Sequence, residues 1–80
     1  MQVEFKSEPE MYRKEHNGRK PNTVRVVDER DARFIALKSG RAVTIRITNP
    51  KNGKSFMRVI TDVTFYTLKD VNLCIISWRD

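Results

Sequence analysis

The stretch VTIRITNPKNGKS, residues 43–55, determines the fold class of this chain. Val43, Ile45 and Ile47 alternate with polar residues, which is the period of a half-buried strand. The following NPKNG, residues 49–53, is a cluster of turn-forming residues. The sequence therefore predicts antiparallel strands from about residue 43 onward.

The rest of the C-terminal half is also predicted to be β-structure. A long strand is expected over roughly residues 55–66. Its apolar side chains fall at both odd and even positions, which indicates a bulge or burial on both faces of the strand. TLKDVN, residues 67–72, turns the chain back. LCIISW, residues 73–78, is almost continuously apolar and predicts a central strand.

The N-terminal part is predicted to contain a strand and a short helix. Val3 and Phe5 alternate with charged residues, as in a strand. Ser7, with Glu10 three residues later, matches a capping box, so a helix is expected to run to about Asn17.

A second strand and a second helix follow. If Val24 and Val26 face the core, Thr23 and Arg25 share the opposite face of that strand. Asp28 is predicted to cap the next helix, ERDARFIALK, which ends before a glycine.

The predicted order is therefore β-α-β-α-β-β-β in a single domain over residues 1–80. This order indicates an α+β fold: a small, curved sheet or partly closed β-barrel flanked by two short helices. Closure into a barrel would remove the free strand edges of such a sheet.

Composition narrows the class of partners. The 16 basic residues exceed the 10 acidic ones, and a net charge of +6 favours partners that carry phosphate. A single cysteine, Cys74, excludes an internal disulfide and is compatible with the reducing cytoplasm. No apolar run approaches the roughly 20 residues of a membrane helix, so a cytoplasmic monomer without membrane contact is expected.

The stretch GRKPNTVR, residues 18–25, carries a family resemblance. Gly18, Lys20, Thr23 and Arg25 match the short pattern that marks ASCH domains, which are relatives of the PUA RNA-binding fold. The order of predicted elements over about residues 3–78 is also similar to that family. Threonine at this position, where many members carry glutamate, resembles the small bacterial amidohydrolases that remove the acetyl group from 4-acetylcytidine.

The resemblance implies a mechanism for amide hydrolysis. In that branch a threonine, a lysine and a glutamate act together, which makes Thr23 the nucleophile and Lys20 its base. Nearby cations, Arg19 and Arg25, favour the neutral amine that a base requires. Arg19, Asn22 and Arg25 are the candidate substrate-binding residues, with Arg25 able to donate to an oxyanion.

The family's glutamate lies in a longer segment between the last two strands, which here shrinks to KDVN, residues 69–72. Glu29 is therefore the candidate third catalytic residue, with Glu4 as an alternative. No cofactor and no metal are expected.

Three functions remain open at this point. The first is a hydrolase for acylated cytidine nucleosides. The second is a non-catalytic module that binds RNA or nucleotides through the same cleft. The third is a small protein-interaction factor, which the size and charge of the chain permit.

Overall fold

The computed structural model describes residues 1–79, which form a five-stranded mixed sheet and two helices. The predicted order of elements and the α+β class are confirmed. In the described residues, neither helix is long and apolar enough to span a membrane. The elements, in chain order, are β1 (Gln2–Lys6), α1 (Pro9–His16), β2 (Asn22–Val26), α2 (Ala32–Lys38), β3 (Thr44–Thr48), β4 (Ser55–Leu68) and β5 (Val71–Trp78).

The strands lie in the order β1-β3-β4-β5-β2. Only the β1–β3 pair is parallel. β4 joins the two halves of the sheet, because its first part pairs with β3 and its second part pairs with β5. The register shifts between Ile60 and Asp62, which confirms the expected irregularity. β1 and β2 are the two edges, so the sheet is open and closure into a barrel is not observed.

The β4–β5 connection is a tight hairpin. Lys69 and Asp70 both have positive φ, 49° and 66°, as a two-residue type I′ turn requires. This geometry accounts for the short segment between the last two strands. β5 pairs with β4 on one side and with β2 on the other, which confirms the prediction of a central strand.

The core lies between the inner face of the sheet and the two helices. Phe56 on β4 packs against Tyr12 of α1 and Trp78 of β5, with ring centroids 5.3 and 6.1 Å apart. The buried apolar residues are Val3, Phe5, Tyr12, Phe34, Ala36, Leu37, Ile45, Ile47, Phe56, Cys74, Ile76 and Trp78.

The predicted capping box of α1 is wrong. Glu8 is the N-cap, its side chain makes no capping hydrogen bond, and Pro9 occupies the first helical turn. Ser7 is instead buried, and its hydroxyl accepts a hydrogen bond from Arg25. The Ser7 side chain therefore binds Arg25 of β2 instead of capping α1.

The predicted cap of α2 is also displaced. Asp31, rather than Asp28, is the N-cap and accepts a hydrogen bond from the backbone N–H of Arg33 at 2.9 Å. Asp28 accepts a bond from the N–H of Arg30 within the preceding turn. Because both aspartates satisfy local donors, sequence alone does not distinguish the cap from the turn.

Candidate functional site

The second strand presents its polar side chains to the interior. Thr23 and Arg25 share one face of β2, as predicted, but this face points inward. Thr23 is only 2 % exposed, whereas Val24 and Val26 are 44 % and 67 % exposed. The condition that the valines face the core is therefore not met. An edge strand that buries its polar face must satisfy those polar groups internally.

Arg25 meets this requirement and links the two edges of the open sheet. Its Nε donates to Thr23 Oγ1 at 2.9 Å. Its two terminal nitrogens donate at 2.7 Å to the backbone carbonyl of Lys6, at the end of β1, and to Ser7 Oγ. The guanidinium thus holds the Thr23 hydroxyl in place and bridges the gap between β2 and β1.

The electrostatic surroundings of Arg25 are mixed. Burial lowers the pKa of its guanidinium from the ordinary value, the Glu15 carboxylate raises this pKa, and the positive charge of Arg33 lowers it further. The carboxylate of Glu15 therefore lies close enough to Arg25 to interact with it through space.

Glu15 is the site residue that the sequence analysis missed. It lies near the end of α1 and its side chain is fully buried. One carboxylate oxygen is 3.9 Å from Lys20 Nζ, and the Lys20 side chain is 28 % exposed at the rim. Within residues 1–79, neither Glu15 oxygen accepts a hydrogen bond. Buried polar atoms are nearly always paired, so an unpaired carboxylate marks a candidate functional group.

A signal for Glu15 was present in the sequence. Tyr12 is the only aromatic residue of α1, and it is buried against Phe56. Residues three and four apart share a helix face, so the inward position of Tyr12 also directs Glu15 inward. The hydrophobic pattern of this short helix is too weak to make that assignment without the structure.

Glu15 connects the residues of the predicted motif. Lys20 is its ion-pair neighbour, Arg25 interacts with it electrostatically, and Arg25 in turn holds Thr23. The structure therefore gathers a carboxylate, an ammonium group, a guanidinium group and a hydroxyl beside the inner face of β2. We name these four residues, Glu15, Lys20, Thr23 and Arg25, the β2 cluster.

Trp78 is the second residue with a buried, unpaired polar atom among the described residues. The indole is buried, and its Nε1–H has no acceptor among the described residues. The backbone N–H of Trp78 donates to the carbonyl of Pro21, which follows Lys20 directly. The strand end that carries this unpaired donor therefore lies against the segment that carries Lys20.

The predicted binding residues Arg19 and Asn22 lie next to the cluster in the chain. Arg19 is exposed, and its backbone N–H donates to Asn17 Oδ1. Asn22 begins β2 opposite Ser77, and it is half-buried. Strand alternation places Asn22 on the face opposite Thr23, so it does not share the inward side of the strand.

The structure does not bring Glu29 to Lys20. The two residues flank opposite ends of β2, whose five residues span roughly 16 Å at about 3.3 Å each. Glu29 lines a separate cavity of about 500 Å³ with Phe34 and Lys38 of α2.

Glu4, the alternative carboxylate, is exposed, and its Oε1 lies 3.4 Å from Arg46 Nε. Its side chain is thus engaged by β3 rather than by the β2 cluster.

The chain matches no protein-family model, no curated protein and no solved structure.

Proposed function

We propose that the chain is a small amidohydrolase that removes acyl groups from the exocyclic amine of acylated cytidines, on an ASCH-type, PUA-like fold. The observation that carries the proposal is the buried Glu15 carboxylate, without hydrogen bonds and 3.9 Å from Lys20 Nζ. It supplies the carboxylate that the Thr23 and Lys20 motif lacks in the sequence.

The position of Glu15 is costly for the fold. Burying an ionised carboxylate costs several kcal/mol, and good geometry with additional hydrogen bonds is needed to offset that cost. Glu15 has the ion-pair neighbour but not the hydrogen bonds. A buried carboxylate without hydrogen bonds is expected where it takes part in chemistry, because perturbed ionisable groups concentrate at functional sites.

The chemistry begins with a proton transfer inside the cluster. Lys20 acts as a base only as a neutral amine, and Glu15 is the carboxylate beside it that accepts the Lys20 proton. This transfer turns the Glu15–Lys20 ion pair into two neutral groups.

The neutral Lys20 amine then takes the proton of Thr23 as Oγ1 attacks the acyl carbon. When the C–N bond breaks, Lys20 returns this proton to the leaving amine of cytidine. The acyl group remains on Thr23 as an ester. Water, deprotonated by the same amine, attacks this ester. When the ester C–O bond breaks, Lys20 returns that proton to Thr23 Oγ1, and the carboxylic acid leaves.

Arg25 positions the nucleophile in this scheme. Its Nε–H bond to Thr23 Oγ1 leaves the hydroxyl hydrogen of Thr23 free to be removed by the base. The other two hydrogen bonds of Arg25 anchor the guanidinium to Lys6 and Ser7 on the opposite edge. The nucleophile is therefore held by a side chain that is fixed at both ends.

Access to Thr23 requires the chain before β2 to move. Thr23 is 2 % exposed, and Lys20 lies at the rim. Gly18, with φ of +84°, follows the end of α1 and gives the α1–β2 loop a position suited to a hinge. We infer that this loop, residues 17–21, opens to admit substrate and closes again, because Lys20 lies within it and must return to Glu15 for catalysis.

The test is turnover of 4-acetylcytidine, followed by the ultraviolet absorbance of the acetylated base. Wild-type protein is expected to convert it to cytidine, and Thr23→Val and Lys20→Ala are expected to lose this activity. Arg19→Ala removes a neighbouring cation that lies outside the cluster and serves as the matched control. A flat trace with concentrated wild-type protein overturns the proposal.

A non-catalytic nucleotide or RNA module is the second candidate. The observation that favours it is the burial of the Thr23 hydroxyl, which already accepts a hydrogen bond from Arg25. In that case RNA binds with an affinity that falls steeply with salt, and Thr23→Val leaves this affinity unchanged.

A further inference from the structure

The two edges of the open sheet are separated by a slot. β1 and β2 do not pair with each other, and a cavity of about 530 Å³ lies between them. Its lining residues are Glu4, Phe5, Lys6, Arg25, Arg33 and Thr48. We call this cavity the edge slot. None of its residues is assigned a chemical step in the proposed hydrolysis, apart from Arg25 as a positioning residue.

Two guanidinium groups converge in the edge slot. The Cζ atoms of Arg25 and Arg33 lie 4.9 and 4.2 Å from the centroid of the Phe5 ring, so they are at most about 9 Å apart. Each is anchored at 2.7 Å by a backbone carbonyl of β1, from Lys6 and Glu4 respectively. The two positive charges are thus held near each other by the edge strand.

The positive charge in the edge slot is incompletely balanced. Arg33 pairs with Asp31, with N–O distances of 2.7 and 3.1 Å. Arg25 bonds only to neutral oxygens. The Glu15 carboxylate interacts with it through space, but no carboxylate of residues 1–79 forms a salt bridge with it. The carboxylate of Glu4, also in the wall, pairs with Arg46.

Hydrogen-bond donors remain available on both arginines. A guanidinium has five N–H groups, and three on each residue are needed for the bonds described. The two forks therefore retain N–H groups for an external acceptor. Arginine forks match the planar, multi-oxygen geometry of phosphate.

We propose that the edge slot binds a phosphate group, with Arg25 and Arg33 as its ligands. The ligand class is a nucleotide phosphate, either the monoester of a free nucleotide or the diester of an RNA backbone. Because Arg25 also holds Thr23, a phosphate in the slot lies one side chain away from the nucleophile. This site goes beyond the proposed function, since phosphate binding requires no hydrolysis.

The experiment is a titration of the purified chain with cytidine 5′-monophosphate, cytidine and inorganic phosphate, followed by calorimetry and amide chemical shifts. None of these probes carries an acyl group, so the result does not depend on catalysis. Arg33→Gln removes one ligand, and Arg41→Gln removes the same charge from an exposed arginine whose guanidinium, among the described residues, donates only to Ser39 Oγ. Urea unfolding of both variants establishes that each is folded.

Wild-type protein is expected to bind the monophosphate at least about tenfold more tightly than cytidine, because hydrogen bonds to charged groups are worth that much or more. Arg33→Gln is expected to lose this preference and Arg41→Gln to keep it. Equal affinity for cytidine and its monophosphate, or equal losses in both variants, overturns the proposal. If Arg33→Gln does not fold, Arg33→Met replaces it, since methionine removes the charge but keeps an apolar side chain over the Phe5 ring, and an unchanged preference in that variant also overturns the proposal.

A second titration distinguishes a free nucleotide from an RNA backbone as the phosphate ligand. An oligocytidylate without terminal phosphate is compared with the monophosphate at two salt concentrations. Tighter, strongly salt-dependent binding of the oligonucleotide identifies the RNA backbone, and tighter binding of the monophosphate identifies a free nucleotide.

Discussion

Replacement of Glu15 by methionine is expected to leave the protein as stable as the wild type or to stabilise it. At 3.9 Å and an effective dielectric constant near 20, the attraction between Glu15 and Lys20 amounts to about 4 kcal/mol. The desolvation of a carboxylate that accepts no hydrogen bond costs several kcal/mol and offsets this attraction. We therefore expect Glu15→Met to raise the free energy of unfolding by about 0–2 kcal/mol.

Replacement of Lys20, the other partner of the ion pair, is expected to destabilise the protein. Lys20→Met removes the ion-pair neighbour and leaves the buried carboxylate without it, which is expected to lower the free energy of unfolding by about 3 kcal/mol. The double variant is expected to return close to the wild-type value. The coupling energy of this double-mutant cycle isolates the Glu15–Lys20 interaction from other effects of the two substitutions.

The assay is urea unfolding followed by the fluorescence of Trp78, the only tryptophan in the chain and a buried one. If Glu15→Met instead lowers the free energy of unfolding by more than about 2 kcal/mol, the carboxylate stabilises the fold. The reasoning that it is retained for chemistry would then be refuted.

Three further predictions concern stability. Arg25→Met is expected to lower the free energy of unfolding by about 2–3 kcal/mol in urea, because three hydrogen bonds are lost, two of them partly buried. An unchanged value would contradict a bridge between the edges. Burial raises the pKa of the Cys74 thiol to about 11, so stability is full below the unfolded pKa near 9 and falls as the pH rises through 11. Cys74→Ala should lack this fall, and the same slope in both proteins would argue against it. Asp31→Ala is expected to cost about 1 kcal/mol at neutral pH, because α2 loses its N-cap. The hydrogen bond from Arg33 lowers the pKa of Asp31, so this difference should shrink as the pH falls below the ordinary value near 4 and through the lowered pKa, and a difference that keeps its full size at acid pH would contradict it.

The sequence predicted the elements well because their signals are local. Each of these signals depends on near neighbours in the chain: the alternation of apolar and polar residues over 43–48, the turn residues at 49–53, and the apolar residues at both odd and even positions of β4. The irregularity between Ile60 and Asp62 was predictable for the same reason. Sheet order and the open edges depend on long-range pairing, and so they were not accessible from these patterns.

The faces of β2 were harder to assign than its presence. Two valines and two polar residues alternate, and hydrophobicity alone directs the valines inward. The structure reverses this because Arg25 finds neutral acceptors on Lys6 and Ser7, which come from the distant edge. Sequence reasoning has no access to acceptors that lie 18 and 19 positions away.

The candidate carboxylate was missed for a related reason. The sequence offered Glu29 and, as an alternative, Glu4 as the third catalytic residue, whereas α1 places Glu15 beside Lys20. A short helix with one aromatic residue gives a weak face signal, so the burial of Glu15 emerges only from packing against Phe56 and the sheet.

The central claim is that Glu15 supplies the carboxylate of a hydrolytic site. The most direct measurement compares 4-acetylcytidine turnover by Glu15→Gln and Glu29→Gln with that of the wild type under identical conditions. Both variants lose one negative charge, but only Glu15 lies beside Lys20. The account predicts that Glu15→Gln loses at least about a hundredfold in rate, within the range of general acid–base contributions, and that Glu29→Gln keeps the wild-type rate. Full activity in Glu15→Gln, or none in the wild type, would contradict it.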